Sequence, residues 1–179
     1  MRRVLVVGSP GAGKTIFSRA LAEREKLPLI HLDRLYWQDG WQPVSQEVFD
    51  ARLAEAMEGP AWILDGNYSR TLPWRLERCD TVVFLDYPRF VCLLGVLRRV
   101  IVHYGRTRPD MGGNCPERLD WEFLKYVWGF PRDHRPALLA KLEERGRGKR
   151  VAVLRSRRQA ARFLRELGAP GQGGGSGGL

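Results

Sequence analysis

A parallel α/β sheet covered by helices on both faces is the fold this sequence predicts, and three observations predict it. The branched apolar run Val4–Val7 leads straight into the glycine-rich octet Gly8 to Thr15 (GSPGAGKT) and then into a helical pattern over 14–25. Four further apolar runs alternate with helical patterns along the rest of the chain. Polar and charged residues gather just after each run, which is where open parallel sheets place their ligands.

Taken in order, Val4–Val7 is suited to a buried parallel strand. The octet after it fits G-x-x-x-x-G-K-[ST] without a mismatch. In that pattern Gly8, Gly11 and Gly13, with Ala12 between them, let the chain wrap so that backbone N–H groups face phosphate oxygens. Lys14 supplies a flexible positive charge for the β- and γ-phosphates, and Thr15 offers a hydroxyl to Mg²⁺. Ile16, Ala20 and Leu21 continue at helical spacing, so the chain from Gly8 through Ile16 sets a helix N-terminus against an anion. The cofactors this predicts are ATP and Mg²⁺.

The second strand, Leu29–Leu32, ends at Asp33 and Arg34. Residues 34–60 then form an insertion carrying Tyr36, Trp37, Trp41 and a helix over 45–58. The third strand, Trp62–Leu64, delivers Asp65, Gly66 and Asn67, with Ser69 and Arg70 close behind. The fourth, Thr81–Leu85, runs into Asp86 and the turn Tyr87-Pro88. A helix over 89–103 follows. Residues 103–134 are rich in Gly, Pro and Arg, with a helical pattern only over 120–129, and read as a lid. A helix over 135–145, the strand Arg150–Leu154 and a helix over 157–167 complete a single domain of residues 1–168. The tail 169–179 reads as flexible chain outside the fold.

The 179 residues allow one domain with a full core. No apolar run reaches membrane-span length, because Arg98 and Arg99 break the most apolar stretch, and no secretory leader precedes the first strand. Cys79, Cys92 and Cys115 have neither C-x-x-C spacing nor a histidine at ligand distance, which fits reduced thiols in the cytoplasm. The formal net charge of +10 is nearly all arginine, since only Lys14, Lys26, Lys125, Lys141 and Lys149 are lysine. That balance suits nucleic acid or polyphosphate, and arginine's planar fork matches phosphate. Of the strand-end carboxylates, Asp65, followed by residues that permit close approach, is assigned to Mg²⁺ beside Thr15. Asp33 is assigned to the acceptor, and Asp86 to capping. His31 and His103 read as structural.

The succession GSPGAGKT, LIHLD, WILDGNYSR, VVFLDYPR, GRTRPDM, CPERLDWEF and FPRDHRP resembles the topology modulation protein (FlaR-like) family, bacterial P-loop proteins related to adenylate kinase and shikimate kinase. The likeness covers about Arg2 to Leu167. It implies a three-layer P-loop nucleotide-kinase fold with a central parallel five-stranded sheet, an acceptor-binding insertion and an Arg-rich lid. Carried over by position, it implies that Asp33, Arg34, Trp37, Asn67 and Arg70 meet the acceptor. Lys14, Asp33, Arg99, Arg132 and Arg135 would carry the chemistry, with Arg106 and Arg108 also in the lid. One departure is Gly95, where relatives often carry an arginine that can stack on adenine.

The function expected is transfer of the ATP γ-phosphate to a small acceptor, a nucleoside or nucleotide first and a non-nucleotide hydroxyl second. The rival is a DNA-associated regulator that uses ATP as a switch. An enzyme needs arginines that converge on the cleft. A regulator needs a basic stripe away from it, for which helix 157–167 with Arg157, Arg158, Arg162 and Arg165 is the best place.

Overall fold

Branched apolar runs, buried on both sides, form the strands, and amphipathic segments form the cover. In the computed structural model, which describes residues 1–167, the order is β1 (Arg3–Gly8), α1 (Lys14–Glu25), β2 (Leu29–His31), α2 (Leu32–Tyr36), the short strands β3 (Trp37–Gln38) and β4 (Gln42–Pro43), and α3 (Gln46–Ala56). Then come β5 (Trp62–Asp65), α4 (Leu72–Arg78), β6 (Thr81–Leu85), α5 (Arg89–His103), α6 (Trp121–Asp133), α7 (Arg135–Arg145), β7 (Arg150–Leu154) and α8 (Arg157–Leu167). The tail assigned to 169–179 lies outside the described residues.

Five strands make one parallel sheet in the order β2-β5-β1-β6-β7, and β3 pairs antiparallel with β4. Alternate residues of β1 feed opposite cores. Leu5 and Val7 join Phe49, Leu53, Leu72 and Leu138 from α3, α4 and α7. Val4 and Val6 join Phe17, Leu21, Val96 and Phe163 from α1, α5 and α8. Each such side chain, fully buried, contributes about 1.5–3 kcal/mol. The strand order reverses at β1, so the loop after β1 opens at the crevice where α/β sheets bind ligands.

Three differences from the sequence reading have physical reasons. First, β2 stops at His31, and Leu32 opens α2, so Asp33 stands in a helix's first turn rather than at a strand end. Second, α2 and α4 are five and seven residues long, too short to show a helical period. Third, the segment 103–134 is not one lid. Residues 121–133 form α6, whose Phe123, Val127 and Phe130 pack into the core, and only the chain between α5 and α6 is loop. Among the described residues no helix is long and apolar enough to cross a membrane. Cys79, Cys92 and Cys115 are free and buried.

Candidate active site

The glycine-rich loop wraps between β1 and α1. Gly13 caps α1 in the left-handed region at φ 86°, with no side chain bonded to the helix end, so the first-turn N–H groups of Lys14, Thr15 and Ile16 face outward from the helix. The Ile16 side chain itself is 77% exposed, so only its backbone faces the cradle. The Lys14 ammonium is half-buried in the loop and donates to the carbonyls of Gly8 (3.0 Å) and Ser9 (3.2 Å). Burial pulls its pKa below the usual lysine value, and the charges of Asp65 and Asp33 act the other way. The helix α5 presses directly on this loop. A Cβ on Gly95 would collide with the Gly11 carbonyl oxygen, and one on Gly11 with the Cys92 carbonyl. No side chain fits at 95, which is why an adenine-stacking arginine does not stand there. Arg98, one residue before Arg99, is exposed. Gly95→Ala is expected to displace the loop and to lower both Tm and affinity for a Mg–ATP analogue, read by calorimetry. Unchanged affinity would show that the loop does not rest on α5.

Beside the cradle, Asp65 at the end of β5 is buried and accepts a hydrogen bond from the Thr15 hydroxyl at 3.0 Å. The His31 ring stands on the same carboxylate oxygen, Nδ1 to Oδ2 3.0 Å. His31, read from sequence as structural, thus orients Asp65.

The next residues face two ways. Asn67 accepts from the Gly8 N–H (3.0 Å) and donates to the Gly8 carbonyl (2.8 Å). Its amide is therefore spent on holding the phosphate loop, not free for an acceptor as expected. Tyr68 donates its hydroxyl to Asp33 Oδ1 at 2.7 Å. Burial pushes the Asp33 carboxyl above the usual carboxylate range, opposed by the Tyr68 bond and the charges of Arg108 and Lys14. Tyr68 itself is pushed up, first by burial and then by Asp33. Tyr36, Phe49 and Tyr68 pack ring against ring at 4.9–5.3 Å. Trp37 lies edge-on between Tyr36 (4.9 Å) and Trp41 (5.6 Å).

The loop between α5 and α6 folds down over the insertion. The Asn114 carbonyl accepts from Gly40 N–H, Asn114 N–H donates to Asp39, and the Trp41 indole donates to the Pro116 carbonyl. This seats Asp110 and Glu117, both buried, in the cleft. Asp110 Oδ2 is 3.5 Å from the Thr15 hydroxyl and 2.5 Å from Arg108. Arg99 grips Glu117 Oε1 through Nε (3.0 Å) and a terminal nitrogen (2.8 Å). Arg108 Nε stands 2.8 Å from Glu117 Oε2, an ion pair whose N–H is not aimed along the contact. Burial, then the neighbouring Arg108 charge, pulls the Arg99 pKa down.

The structure therefore gathers Lys14, Thr15, Asp33, Asp65, Arg99 and Arg108 into one cleft. Other expected residues lie elsewhere. Arg34 is exposed on α2. Arg70 is spent on a two-pronged surface pair with Asp50 of α3 (2.9 and 2.5 Å). Arg132 is an 84% exposed side chain paired with its neighbour Asp133, because the last turn of α6 presents it to solvent. Arg135 forks onto Asp86 with two 2.7 Å bonds, tying α7 to the end of β6 at a cavity of about 350 Å³ that also touches Ser9. Arg106 is exposed. The sequence reading missed Tyr68, Arg75, Asp110 and Glu117. Three of these stand in stretches that carry the resemblance, Tyr68 in DGNYSR, Asp110 in GRTRPDM and Glu117 in CPERLDWEF, whereas Arg75 stands in none.

These residues fit a nucleoside triphosphate with Mg²⁺. The half-buried Lys14 charge bonds only carbonyls and forms no ion pair among the described residues. Thr15 and Asp65 would hold Mg²⁺, and no cluster of three or more metal-ligating side chains exists among the described residues.

Sheet order, glycine cradle and the lysine folded back into it define a P-loop kinase fold. The chain is similar in fold to the shikimate kinase from Acinetobacter baumannii solved in complex with shikimate, at 17% identity over 93% of this chain and 90% of that one, TM-score 0.59. It is also similar to the shikimate kinase from Bacteroides thetaiotaomicron, at 17% identity over 93% and 95%, TM-score 0.50. No protein-family model matches the sequence, and a search of curated proteins finds no match.

Proposed function

We propose that this chain, by resemblance one of the topology modulation (FlaR-like) proteins, is an ATP- and Mg²⁺-dependent kinase that transfers the γ-phosphate to a nucleoside or nucleotide. One observation carries the reading: a half-buried carboxylate, Asp33, held by Tyr68 next to a cradle that bears Lys14, Thr15 and Asp65, with Arg99 and Arg108 turned into the same cleft. Bound Mg²⁺ would neutralise charge on the β- and γ-phosphates. Backbone N–H groups of the cradle and Lys14 hold the triphosphate. Arg99 and Arg108 exchange their carboxylate partners for the equatorial oxygens as charge spreads in the transition state. Asp33 orients the acceptor hydroxyl and takes its proton, and Tyr68 keeps that carboxylate in place.

The fold neighbours support a kinase with a small acceptor. The aromatic cluster Tyr36, Trp37, Trp41 and Tyr68 beside Asp33 supports a planar base as that acceptor. Convergence of two arginines on the cleft supports an enzyme over a DNA-bound switch.

The test is ADP release with Mg–ATP against all nucleosides, all nucleoside monophosphates and a set of small hydroxy acids that includes shikimate. A phosphorylated nucleoside or nucleotide is expected. Product only from a hydroxy acid moves the acceptor to the non-nucleotide class. No product at all, alongside tight duplex DNA binding with a steep salt slope, overturns the kinase reading.

A further inference from the structure

Residues 66–68 link the two halves of the cleft, and their own chemistry does not keep them in place. Gly66 has φ 143° and sits so close to Leu32 that a Cβ would stand 2.9 Å from the leucine's Cβ. Tyr68 has φ 39°, a left-handed conformation that an aromatic residue adopts only when its surroundings impose it. What imposes it lies one helix further on. Arg75 of α4 is fully buried and turns its guanidinium onto three successive carbonyls: Gly66 (3.1 Å), Asn67 and Tyr68 (3.0 Å). The Tyr68 carbonyl also accepts from Thr71.

Arg75 forms no ion pair among the described residues. Burial drags its pKa down to about 9, so it stays charged at neutral pH. A buried cation without an acid is a poor way to fill a core, since an apolar chain of the same volume is less costly. The group is explained by the carbonyls it holds.

We infer that Arg75 is a positioning residue that, through 66–68, locks the triphosphate cradle and the acceptor carboxylate into one rigid unit. Asn67 carries the constraint to Gly8, and Tyr68 carries it to Asp33. This assignment rests on the kinase reading above.

The experiment compares wild type with Arg75→Lys, Arg75→Met, Asn67→Ala and the Arg75→Met/Asn67→Ala double variant, each well below its melting temperature. Binding of a non-hydrolysable Mg–ATP analogue is measured by calorimetry, and kcat and KM by ADP release from Mg–ATP. Arg75→Met and Asn67→Ala are each expected to weaken analogue binding roughly tenfold, and the double variant no further, because both cut the same link. In Arg75→Met kcat is expected to fall by about 10² while KM moves less. Arg75→Lys is expected to recover part of both losses. A merely structural arginine lowers Tm but leaves kcat and binding of the folded protein unchanged, or gives losses that add across the double variant; either result overturns the inference. If Arg75→Met does not fold, Arg75→Lys against Asn67→Ala carries the same comparison. A wild type that binds no analogue overturns the kinase reading itself, and is recognised as such because no variant is involved.

Discussion

Replacing Lys14 with alanine is expected to abolish ATP turnover, a loss of roughly 10²–10⁵. The ammonium is half-buried in the loop and, among the described residues, bonds only the Gly8 and Ser9 carbonyls, so a triphosphate is the anion best placed to claim it. Removing it leaves those carbonyls without their donor and the transition state without its nearest fixed charge. Lys14→Met separates charge from volume. Burial disfavours the charged lysine in the folded protein, so the methionine variant is expected to keep or raise Tm while losing turnover. Turnover that survives either change would place the phosphate site elsewhere.

Asp33→Asn is expected to cut acceptor phosphorylation by roughly 10²–10⁴ while leaving ATP-analogue binding nearly intact. The asparagine can still accept the Tyr68 hydrogen bond but cannot take a proton. The carboxyl's raised pKa fixes two signs. For the wild type, the acid limb of the rate profile should lie above the usual carboxylate range, and the variant should lack it. For stability, the folded protein keeps a proton on Asp33 that the unfolded chain has already lost between the ordinary value and the raised one. The group's contribution is therefore complete below the ordinary value and is lost as pH rises through the raised one. At neutral pH the variant escapes that cost, so its Tm should rise. An equal loss of analogue binding and turnover would put Asp33 on the metal instead of the acceptor.

The parts of this molecule that could be read from the chain are those whose cause is local. Val4–Val7 reads as a buried strand because four consecutive branched or aliphatic side chains have no polar face to show. The octet Gly8 to Thr15 reads as a phosphate cradle because its geometry is a property of its own backbone. The α5 and α8 patterns were visible because they repeat over three turns or more. Helices α2 and α4 were not, because a five- or seven-residue segment completes at most two turns. The misplacement mattered, since α2 moves Asp33 off the strand and under Tyr68.

The arginines show where local reading ends. Arg99, Arg108, Arg132 and Arg135 look alike in a basic sequence, and likeness by position put all four over the phosphates. Yet Arg132 points to solvent beside Asp133, and Arg135 is committed to Asp86. Of the four, only Arg99 and Arg108 reach the cleft, where both pair with Glu117, a carboxylate whose place in CPERLDWEF gives no hint of that role. Arg75, to which the sequence reading assigns no role, is fully buried.

By itself the sequence determined the five strands of the parallel sheet to within about a residue, the major helices, and the glycine-rich octet with its lysine and hydroxyl, and it offered Asp33 and Asp65 as candidate carboxylates, because those follow from neighbouring residues along the backbone. Tertiary structure alone decided which arginines enter the cleft, which side chain holds the loop after β5, and why residue 95 has no side chain. Each of these depends on a contact between segments far apart in the chain, and a guanidinium's role is set by the carboxylate or carbonyl that folding happens to bring within 3 Å of it.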